Sequence, residues 1–310
     1  MKAATQSVPV AVLVPSAPVQ VRVANRFKSY RSIVLGGAIL AFIVLIAILA
    51  PMLGTTDPAA IDPAARNLRP AAEGTVRNVD GTQTTVKHWM GTDSLGRDVY
   101  SRVVYGARAS LIIGVSVALI SAAIGLVIGV LAGFLRRLDS VVMRVMDGLM
   151  SIPAILLAIG LVSLSRAGLR SVILAIIIPE IPRVVRLVRS VVLSVREEPY
   201  VEAAIALGAR LPRLLAQHVV PKTIAPLVVQ TTFICASAII IEATLSFLGV
   251  GIPPETPTWG NIMAEGRALF RIFPHNILFP GIFLAVTVLA VNILGDGLRD
   301  MLDPRTRKQI

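Results

Sequence analysis

Long apolar runs alternate with short charged segments along this chain. Five runs contain no Asp, Glu, Lys or Arg, namely 33–53, 109–135, 148–165, 223–241 and 276–295. A helix that crosses a lipid bilayer needs about 20 predominantly apolar residues, with a range of about 17 to 25. The pattern therefore predicts five membrane-spanning helices, and the longest run is expected to tilt or to extend beyond the bilayer.

A sixth segment, 171–195, is apolar in its first half only. Its second half carries Glu180, Arg183, Arg186 and Arg189. Glu180 and Arg183 are three residues apart and are expected to form an ion pair on one helix face. The three arginines are expected to extend toward the cytoplasmic surface, with their apolar stems along the helix.

The distribution of basic residues favours six crossings over five. With a basic N-terminal tail inside, six spans place the basic segments 136–144 and 196–222 and the C-terminal tail on the cytoplasmic side, as basic loops prefer. The sequence therefore predicts an all-α integral membrane protein with six transmembrane helices and cytoplasmic N- and C-termini. Residues 1–31 contain five basic residues, no acidic residue and prolines at 9, 15 and 18, which is typical of a flexible tail.

This topology divides the chain into five parts. They are a flexible basic cytoplasmic tail (1–31), a first transmembrane helix (32–54), an extracytoplasmic loop with an interfacial helix (55–107), a transmembrane core (108–298) and a cytoplasmic tail (299–310). The core contains one sizeable internal loop, 196–222, and one Pro-rich external loop, 250–275.

Composition excludes several classes of function. The chain is 55% hydrophobic and 15% charged, whereas soluble domains average about 25% charged residues. The net charge of +12 accords with basic cytoplasmic loops rather than with nucleic-acid binding, because no basic stripe is interleaved with aromatic residues. Cys235 is the single cysteine, and His88, His218 and His275 are widely separated, so neither a disulfide nor a metal site is predicted. No catalytic triad or carboxylate pair is evident.

The internal loop has the pattern of a short amphipathic helix followed by a bend. Pro199 suits the first helical position, Gly208 is expected to end the helix, and Pro212 is expected to begin another. Apolar residues follow a helical period at Tyr200, Ala203, Ala204, Leu207, Leu211, Leu214 and Leu215. Three interpretations are open: a helix on the lipid surface, a connector, or a docking element for a cytoplasmic partner.

The same stretch resembles a known family. "EAAIALGARLPRLLAQHVVP" is similar to the cytoplasmic EAA loop of ABC importer permeases in Glu202, Ala203, Ala204, Gly208 and Pro221. It departs from that pattern at His218, where Ile is expected, and at Val220, where Leu is expected.

Three further motifs resemble the C-type subunit of the dipeptide, oligopeptide and nickel permeases. They are "GTDSLGRDVYSRVVYGARASL", "EATLSFLGVGIPPETPTWGNI" and "NILGDGLRDMLDPR". The resemblance covers about residues 30–307. Segment 166–182 is shorter than expected and lacks the expected aromatic residues.

The resemblance implies a transmembrane permease subunit that forms half of the pathway for di- or oligopeptides in a bacterial cell (inner) membrane. Its implied partners are a sister permease, two ATPase subunits and an extracytoplasmic substrate-binding protein. The internal loop becomes the coupling helix, which contacts an ATPase through Glu198, Pro199, Tyr200, Glu202, Ala203, Ala204, Leu207, Gly208 and Ala209. ATP and magnesium are expected on the ATPases, because this chain has no Gly-rich loop ending in Lys-Ser/Thr.

Two further sets of residues have open interpretations. Gly125, Gly129 and Gly133 lie four residues apart in the second apolar run, and the spacing suits close helix packing, with a hinge as the alternative. Glu242 directly follows the run 223–241, near the outer end of the fifth of the six predicted spans. It is a candidate pathway or gate residue, with helix capping as an equal alternative.

Other functional classes remain as alternatives at this point. The same type of importer carrying nickel, haem or glutathione is one. A stand-alone secondary transporter is another, although that class predicts inverted repeats and midplane polar sites, which the sequence does not show clearly. A membrane-embedded enzyme is disfavoured because no catalytic set appears.

Overall fold

The computed structural model describes residues 19–77, 83–166 and 168–302, and it is mostly helical. The helices and strands, in chain order, are α1 (Val19–Leu49), β1 (Ala72–Arg77), β2 (Gln83–His88), α2 (Val99–Phe134), α3 (Arg136–Met150), α4 (Ala154–Ser163), α5 (Leu169–Arg196), α6 (Pro199–Ala206), α7 (Leu211–Leu214), α8 (Val220–Phe247), α9 (Trp259–Gly266) and α10 (His275–Leu302). A π-helical turn, Leu215–Val219, joins α7 to α8.

Four segments of the described chain are long and apolar enough to cross a membrane. They are Tyr30–Met52, Val99–Phe134, Leu211–Phe247 and His275–Leu302. They coincide with four of the apolar runs. The protein is therefore a mostly helical, multi-pass membrane protein.

The run 148–165 does not form the continuous span that the sequence predicts. Helix α3 ends at Met150 and α4 begins at Ala154, and the two are bent by 85°. Pro153 precedes α4 and has no amide hydrogen to continue a helical ladder, which accounts for the break. Counted as one span, this pair raises the number of candidates to five. Helix α5 has 28 residues, but its charged second half keeps it outside that group.

A β-hairpin shows that the all-α prediction was wrong in the external segment. Strands β1 and β2 pair antiparallel, with Ala72 opposite His88 and Arg77 opposite Gln83. Both strands contain β-branched residues, which fit a pleated ladder. Their connection contains Asp80-Gly81, a typical hairpin turn sequence, although these two residues lie outside the described ranges.

Two elements begin at positions other than the predicted boundaries. Helix α1 already begins at Val19, so residues 19–31 are helical rather than a flexible tail; the last proline of the tail is Pro18, and nothing after it interrupts a helix. The predicted tails at residues 1–18 and 303–310 lie outside the described residues. The predicted interfacial helix is the first part of α2, which runs unbroken for 36 residues behind an N-cap at Asp98.

Contacts between helix ends show which ends share a side of the bundle. Arg108, near the start of α2, donates hydrogen bonds to the carbonyl oxygens of Ala47 and Ile48 at the end of α1. At the opposite end of α2, Arg196 donates to the Phe134 carbonyl over 3.3 Å. The internal segment α6–α7 therefore lies at the end of the bundle opposite the hairpin.

The core has two parts that share α2 and α8. One buries Val117 of α2, Val184 of α5 and Ile234 of α8, together with Val201 of α6 and Leu214 of α7. The other packs α1, α9 and α10 against the start of α2. The short helices of the internal segment are thus built into the core of the long helices that they connect.

Candidate functional site

The internal segment forms two short helices with a glycine bend between them. Pro199 takes the first position of α6, and Pro212 lies in the first turn of α7. Gly208 has φ +80°, a left-handed conformation that glycine adopts without steric cost. The break predicted at Gly208–Pro212 is confirmed. The helical period predicted across it is not confirmed, because Leu211 and Leu214 lie on a second helix and Leu215 lies in the π-helical turn that follows.

One face of α6 packs inward and the other is exposed. Val201 is completely buried, while Tyr200, Ile205 and Leu207 are exposed, Leu207 to 88%. Ala203 is exposed, whereas Ala204 is half-buried and packs against the chain's own core together with Ala209. Ala203 and Ala204 therefore have different surroundings. The exposed face combines apolar side chains with the exposed carboxylates of Glu198 and Glu202.

The π-helical turn contacts the start of α6 through a pair of rings. The rings of Tyr200 and His218 lie 6.0 Å apart, so the start of α6 contacts the turn that leads into α8. Burial raises the pKa of the Tyr200 phenol, and the nearby Glu198 carboxylate acts in the same direction. The phenol therefore stays protonated at neutral pH. The sequence does not predict this contact, because its only signal is His218 in place of Ile.

The three glycines of α2 face a matching row of valines on α5. A Cβ atom added at Gly125 would lie 2.4 Å from Val184 Cβ, one at Gly129 would lie 2.7 Å from Val188 Cβ, and one at Gly133 would lie 2.8 Å from Val192 Cβ. Real Cβ atoms do not approach so closely. Helix α2 therefore contacts α5 through backbone along three successive turns, as small residues allow in membrane helices.

Replacing Gly129 by alanine is expected to destabilise the chain by about 1 to 3 kcal/mol, since the new methyl group collides with Val188 Cβ and the Val185 carbonyl oxygen. Thermal unfolding of the purified protein would measure the loss.

Gly160→Ala is the matched control for this experiment. A Cβ atom at Gly160, within α4, would meet nothing within 4 Å in the described chain. Alanine favours helix over glycine by about 1 kcal/mol, so this variant should be as stable as the unmodified chain or more so. Equal stability of Gly129→Ala and Gly160→Ala would contradict the packing role.

Glu242 lies at the outer end of α8 and is completely buried within this chain. Ser246 Oγ donates to its Oε1 over 2.8 Å, and Oε2 has no hydrogen-bond partner among the described residues. The neighbouring Ala243 contacts α9 closely, since a Cβ atom at Gly260 would lie 2.6 Å from Ala243 Cα. Glu242 therefore lies beneath α9, and its pathway role stays a prediction.

Two external motifs that are far apart in sequence meet in a buried ionic cluster. Asp93 accepts a hydrogen bond from Arg97 Nε over 2.7 Å, and both arginines, Arg97 and Arg102, bind Glu265 of α9. Arg102 has no exposed surface, and it also donates to the Pro254 carbonyl. Burial raises the pKa of the Glu265 carboxyl, although Arg102 and Arg97 act in the opposite direction. The cluster fastens the segment before α2 to the external loop.

Neighbouring hydrogen bonds tie the remaining external elements to the same place. Asp98 caps α2 through the Ser101 amide and binds His88 Nδ1 at the end of β2 over 2.9 Å. The Trp259 indole, completely buried, donates to the Val103 carbonyl over 3.1 Å. Hairpin, α2 and α9 therefore form one connected unit, which we call the external cap after the side predicted for it. Within residues 19–77, 83–166 and 168–302, no group of three His, Cys, Asp or Glu residues is placed to hold a metal ion.

Two family models match this chain. The model described as "Binding-protein-dependent transport system inner membrane component" matches residues 125–308. The model described as "N-terminal TM domain of oligopeptide transport permease C" matches residues 21–70. The first match includes the internal segment, α5 and α8, and the second includes α1.

Named relatives are similar over most of their length. A Sinorhizobium fredii protein named as a probable peptide ABC transporter permease is 53% identical, over 93% of each chain. The oligopeptide transport system permease OppC of Bacillus subtilis is 36% identical over 91% of this chain and 88% of its own length. A glutathione transport system permease of Pectobacterium atrosepticum is 41% identical over 71% of this chain and 73% of its own length.

A solved structure shares the fold of the core. One chain of the MetNI methionine ABC transporter, in an inward-facing conformation, superposes with a TM-score of 0.50 at 20% sequence identity. The match covers 65% of this chain and 96% of that chain. The likeness supports the helical arrangement alone.

Proposed function

This chain belongs to the family of inner membrane components of binding-protein-dependent transport systems, and we propose that it is the C-type permease subunit of an ATP-driven peptide importer. The chain is a membrane-embedded ABC transporter permease. Under this proposal it forms half of a translocation pathway in the bacterial cell (inner) membrane. A sister permease forms the other half.

The observation that carries the proposal is the internal segment between α5 and α8. It presents exposed Tyr200, Ala203 and Leu207 beside two carboxylates, while its inner face is buried in the core of the spanning helices. A surface of this kind suits a groove on a cytoplasmic partner. Because Val201 and Leu214 belong to the same core as α5 and α8, movement of the segment is passed directly to those helices.

Six crossings and cytoplasmic termini belong to the proposal as well. Helix α5 is 28 residues long, or about 42 Å at 1.5 Å per residue, which is sufficient to cross the hydrocarbon region of about 30 Å. Counting α5 and the bent pair α3–α4 as one span each adds two crossings to the four apolar segments. The basic residues of α3 and of the internal segment then share the cytoplasmic side, as basic loops prefer.

The proposed partners follow from the same segment. Two ATPase subunits bind ATP and magnesium, and one of them holds α6 of this chain in a surface groove. Closure of the ATPase pair moves α6, and α5 and α8 move with it, so that the pathway opens to alternate sides. An extracytoplasmic binding protein delivers the cargo. This chain contributes no catalytic group to ATP hydrolysis in this scheme.

Peptide is the proposed cargo because relatives named for peptide transport cover this chain almost completely. A second candidate is glutathione, itself a small peptide, since a permease named for it is 41% identical. Nickel or haem transport and a stand-alone secondary transporter remain less favoured alternatives.

Purification of the tagged chain from its native membrane in mild detergent tests this proposal. We expect a second permease and two ATPase subunits to copurify, and magnesium-ATP hydrolysis by the complex to increase when a peptide-loaded binding protein is added. A variant with Tyr200, Ala203 and Leu207 replaced by aspartate should lose the ATPases and keep the sister permease. An intact chain that repeatedly purified alone would contradict the proposal and favour a self-sufficient transporter.

A further inference from the structure

Arg183 places a cation on the surface of α5 far from both of its ends. Its side chain is 47% exposed in this chain. At 1.5 Å per residue it lies about 20 Å from either end of α5, farther than an arginine side chain extends. The cation therefore lies near the middle of α5, and its extension to the cytoplasmic surface stays a prediction.

Glu180 holds this cation in place, and the predicted i,i+3 pair is confirmed. Glu180 has no exposed surface, and each of its carboxylate oxygens lies 3.2 Å from Arg183 Nη1. Ser237 of α8 donates to Glu180 Oε1 over 3.1 Å. A guanidinium has five N–H donors, and the described hydrogen bonds of Arg183 use Nη1 alone. Its other nitrogens are left for a ligand.

The same face of α5 continues as a polar stripe toward the cytoplasmic end. Arg186, Ser190 and Ser194 are exposed and follow Arg183 at intervals of three or four residues, which places all four on one helix face. Arg186 is already paired with Asp147 of α3. Charged side chains are costly against lipid and almost always face a bundle interior or a water-filled cavity. This stripe therefore belongs at the pathway between the two permeases.

We infer that Arg183 is a contact for the terminal carboxylate of the peptide as it crosses the membrane. The inference rests on the proposed function, which supplies the peptide. Every peptide with a free C-terminus carries this carboxylate whatever its side chains, so one cation serves many sequences. A guanidinium binds a carboxylate through paired, charge-assisted hydrogen bonds.

Glu180 keeps the binding of a carboxylate to Arg183 weak enough to be reversible. A fully unpaired cation inside the membrane would bind a carboxylate tightly and retard its release, and transport requires binding that is weak enough to reverse. Glu180 offsets part of the charge of Arg183 without blocking its exposed side. Ser237 fixes Glu180 from α8, so the position of the cation depends on both helices that flank the internal segment.

The test compares two forms of one peptide in the complete transporter. Proteoliposomes that contain this chain, its sister permease, both ATPases and the binding protein would be supplied with trialanine or with trialanine amide. Arg183→Gln is expected to lower uptake of trialanine by about tenfold relative to the unmodified complex and to leave uptake of the amide nearly unchanged. Arg183→Lys should retain part of the preference for the free carboxylate.

Arg170→Gln is the matched control, because it removes one positive charge from an exposed position in the first turn of the same helix, outside the polar stripe. The ratio of the two uptake rates should stay as in the unmodified complex. Should Arg183→Gln destabilise the chain by leaving Glu180 unpaired, the double variant Glu180→Gln/Arg183→Gln removes both charges. It should show the same loss of preference.

Thiol labelling gives a second measurement that needs no cargo. Cys235 is the single cysteine, so Cys235→Ala provides a cysteine-free background. In the assembled complex, a cysteine at 183 combined with Glu180→Gln should react with a membrane-impermeant cationic thiol reagent. A cysteine at the exposed apolar position Phe42 of α1 should not.

The possible results separate the inference from the proposed function. Unchanged uptake ratios in Arg183→Gln, or a cysteine at 183 as unreactive as one at 42, would overturn the role of Arg183 and leave the peptide importer intact. An assembled, ATP-hydrolysing complex that imported neither form of trialanine would overturn the peptide cargo and the carboxylate contact together.

Discussion

Replacing Ala203 by tryptophan is expected to lower ATP-driven uptake by about 30- to 1,000-fold while the chain still folds and inserts. Ala203 is exposed on α6, so a large side chain meets nothing within this chain. In the proposed complex it lies in the centre of the ATPase contact, where a disrupted position costs about 2 to 4 kcal/mol of binding free energy. Uptake into proteoliposomes and copurification of the ATPases would measure the two effects.

Ala203→Ser is the matched control, because it adds a single oxygen atom to an exposed position and should leave uptake near that of the unmodified chain. Ala204 is a poorer probe, although the motif alone does not distinguish the two alanines. Its side chain packs against the chain's own core, so enlargement would disturb folding and docking together. Normal uptake by a well-assembled Ala203→Trp complex would contradict the docking of α6.

The internal segment could be predicted from the sequence because its signals are local. Pro199 begins a helix, Gly208 ends it in a left-handed conformation, and Pro212 begins the next; each depends on the backbone of that residue and its neighbours. The close packing of the glycine row of α2 could also be predicted, because the four-residue spacing of the glycines is visible in the sequence. The helix that packs against this row could not be predicted, because nothing in the spacing of the α5 valines indicates that they contact α2.

Features that depend on contacts between residues far apart in the sequence could not be predicted from it. The start of α2 contains Arg102 and Arg108, which interrupt the apolar pattern and conceal a helix that continues past them. Arg108 donates to carbonyl groups of α1, and Arg102 forms an ion pair with Glu265 of α9. Neither pairing has a signal in sequence spacing. The β-hairpin was missed for another reason. Hydropathy does not distinguish its short strands, which contain Thr and Val, from a polar loop.

Segment 136–196 shows two ways in which hydropathy fails to predict helix boundaries. The run 148–165 is uncharged, yet Pro153 divides it into parts of two helices bent by 85°. Helix α5 is charged, yet it is continuous, and its Arg186 and Arg189 pair with Asp147 and Asp139 of α3. Apolar length therefore predicts where chain crosses lipid better than it predicts where a helix begins and ends.

Replacing Arg102 by methionine is expected to destabilise the protein by about 3 to 5 kcal/mol, the range for removing one partner of a buried ion pair. Arg102 is completely buried and lies within 3.3 Å of Glu265, so the change removes a positive charge that offsets the half-buried carboxylate of Glu265 and the buried carboxylate of Asp93. The external cap should then loosen from α2. A lower thermal unfolding temperature and faster proteolysis of the hairpin segment would measure this loss.

The double variant Arg102→Met/Glu265→Gln separates lost charge balance from lost packing. It removes one charge of each sign and keeps side chains of similar length, so it should recover a large part of the stability lost in the single variant. Arg69→Gln is the control, since Arg69 is an exposed residue of the same external segment and the substitution removes the same charge. Its unfolding temperature should match that of the unmodified chain. If Arg102→Met unfolded at that temperature as well, the cluster would contribute nothing to the cap, and the closeness of α9 to α2 would have to come from apolar packing and from the hydrogen bond of Trp259 to Val103.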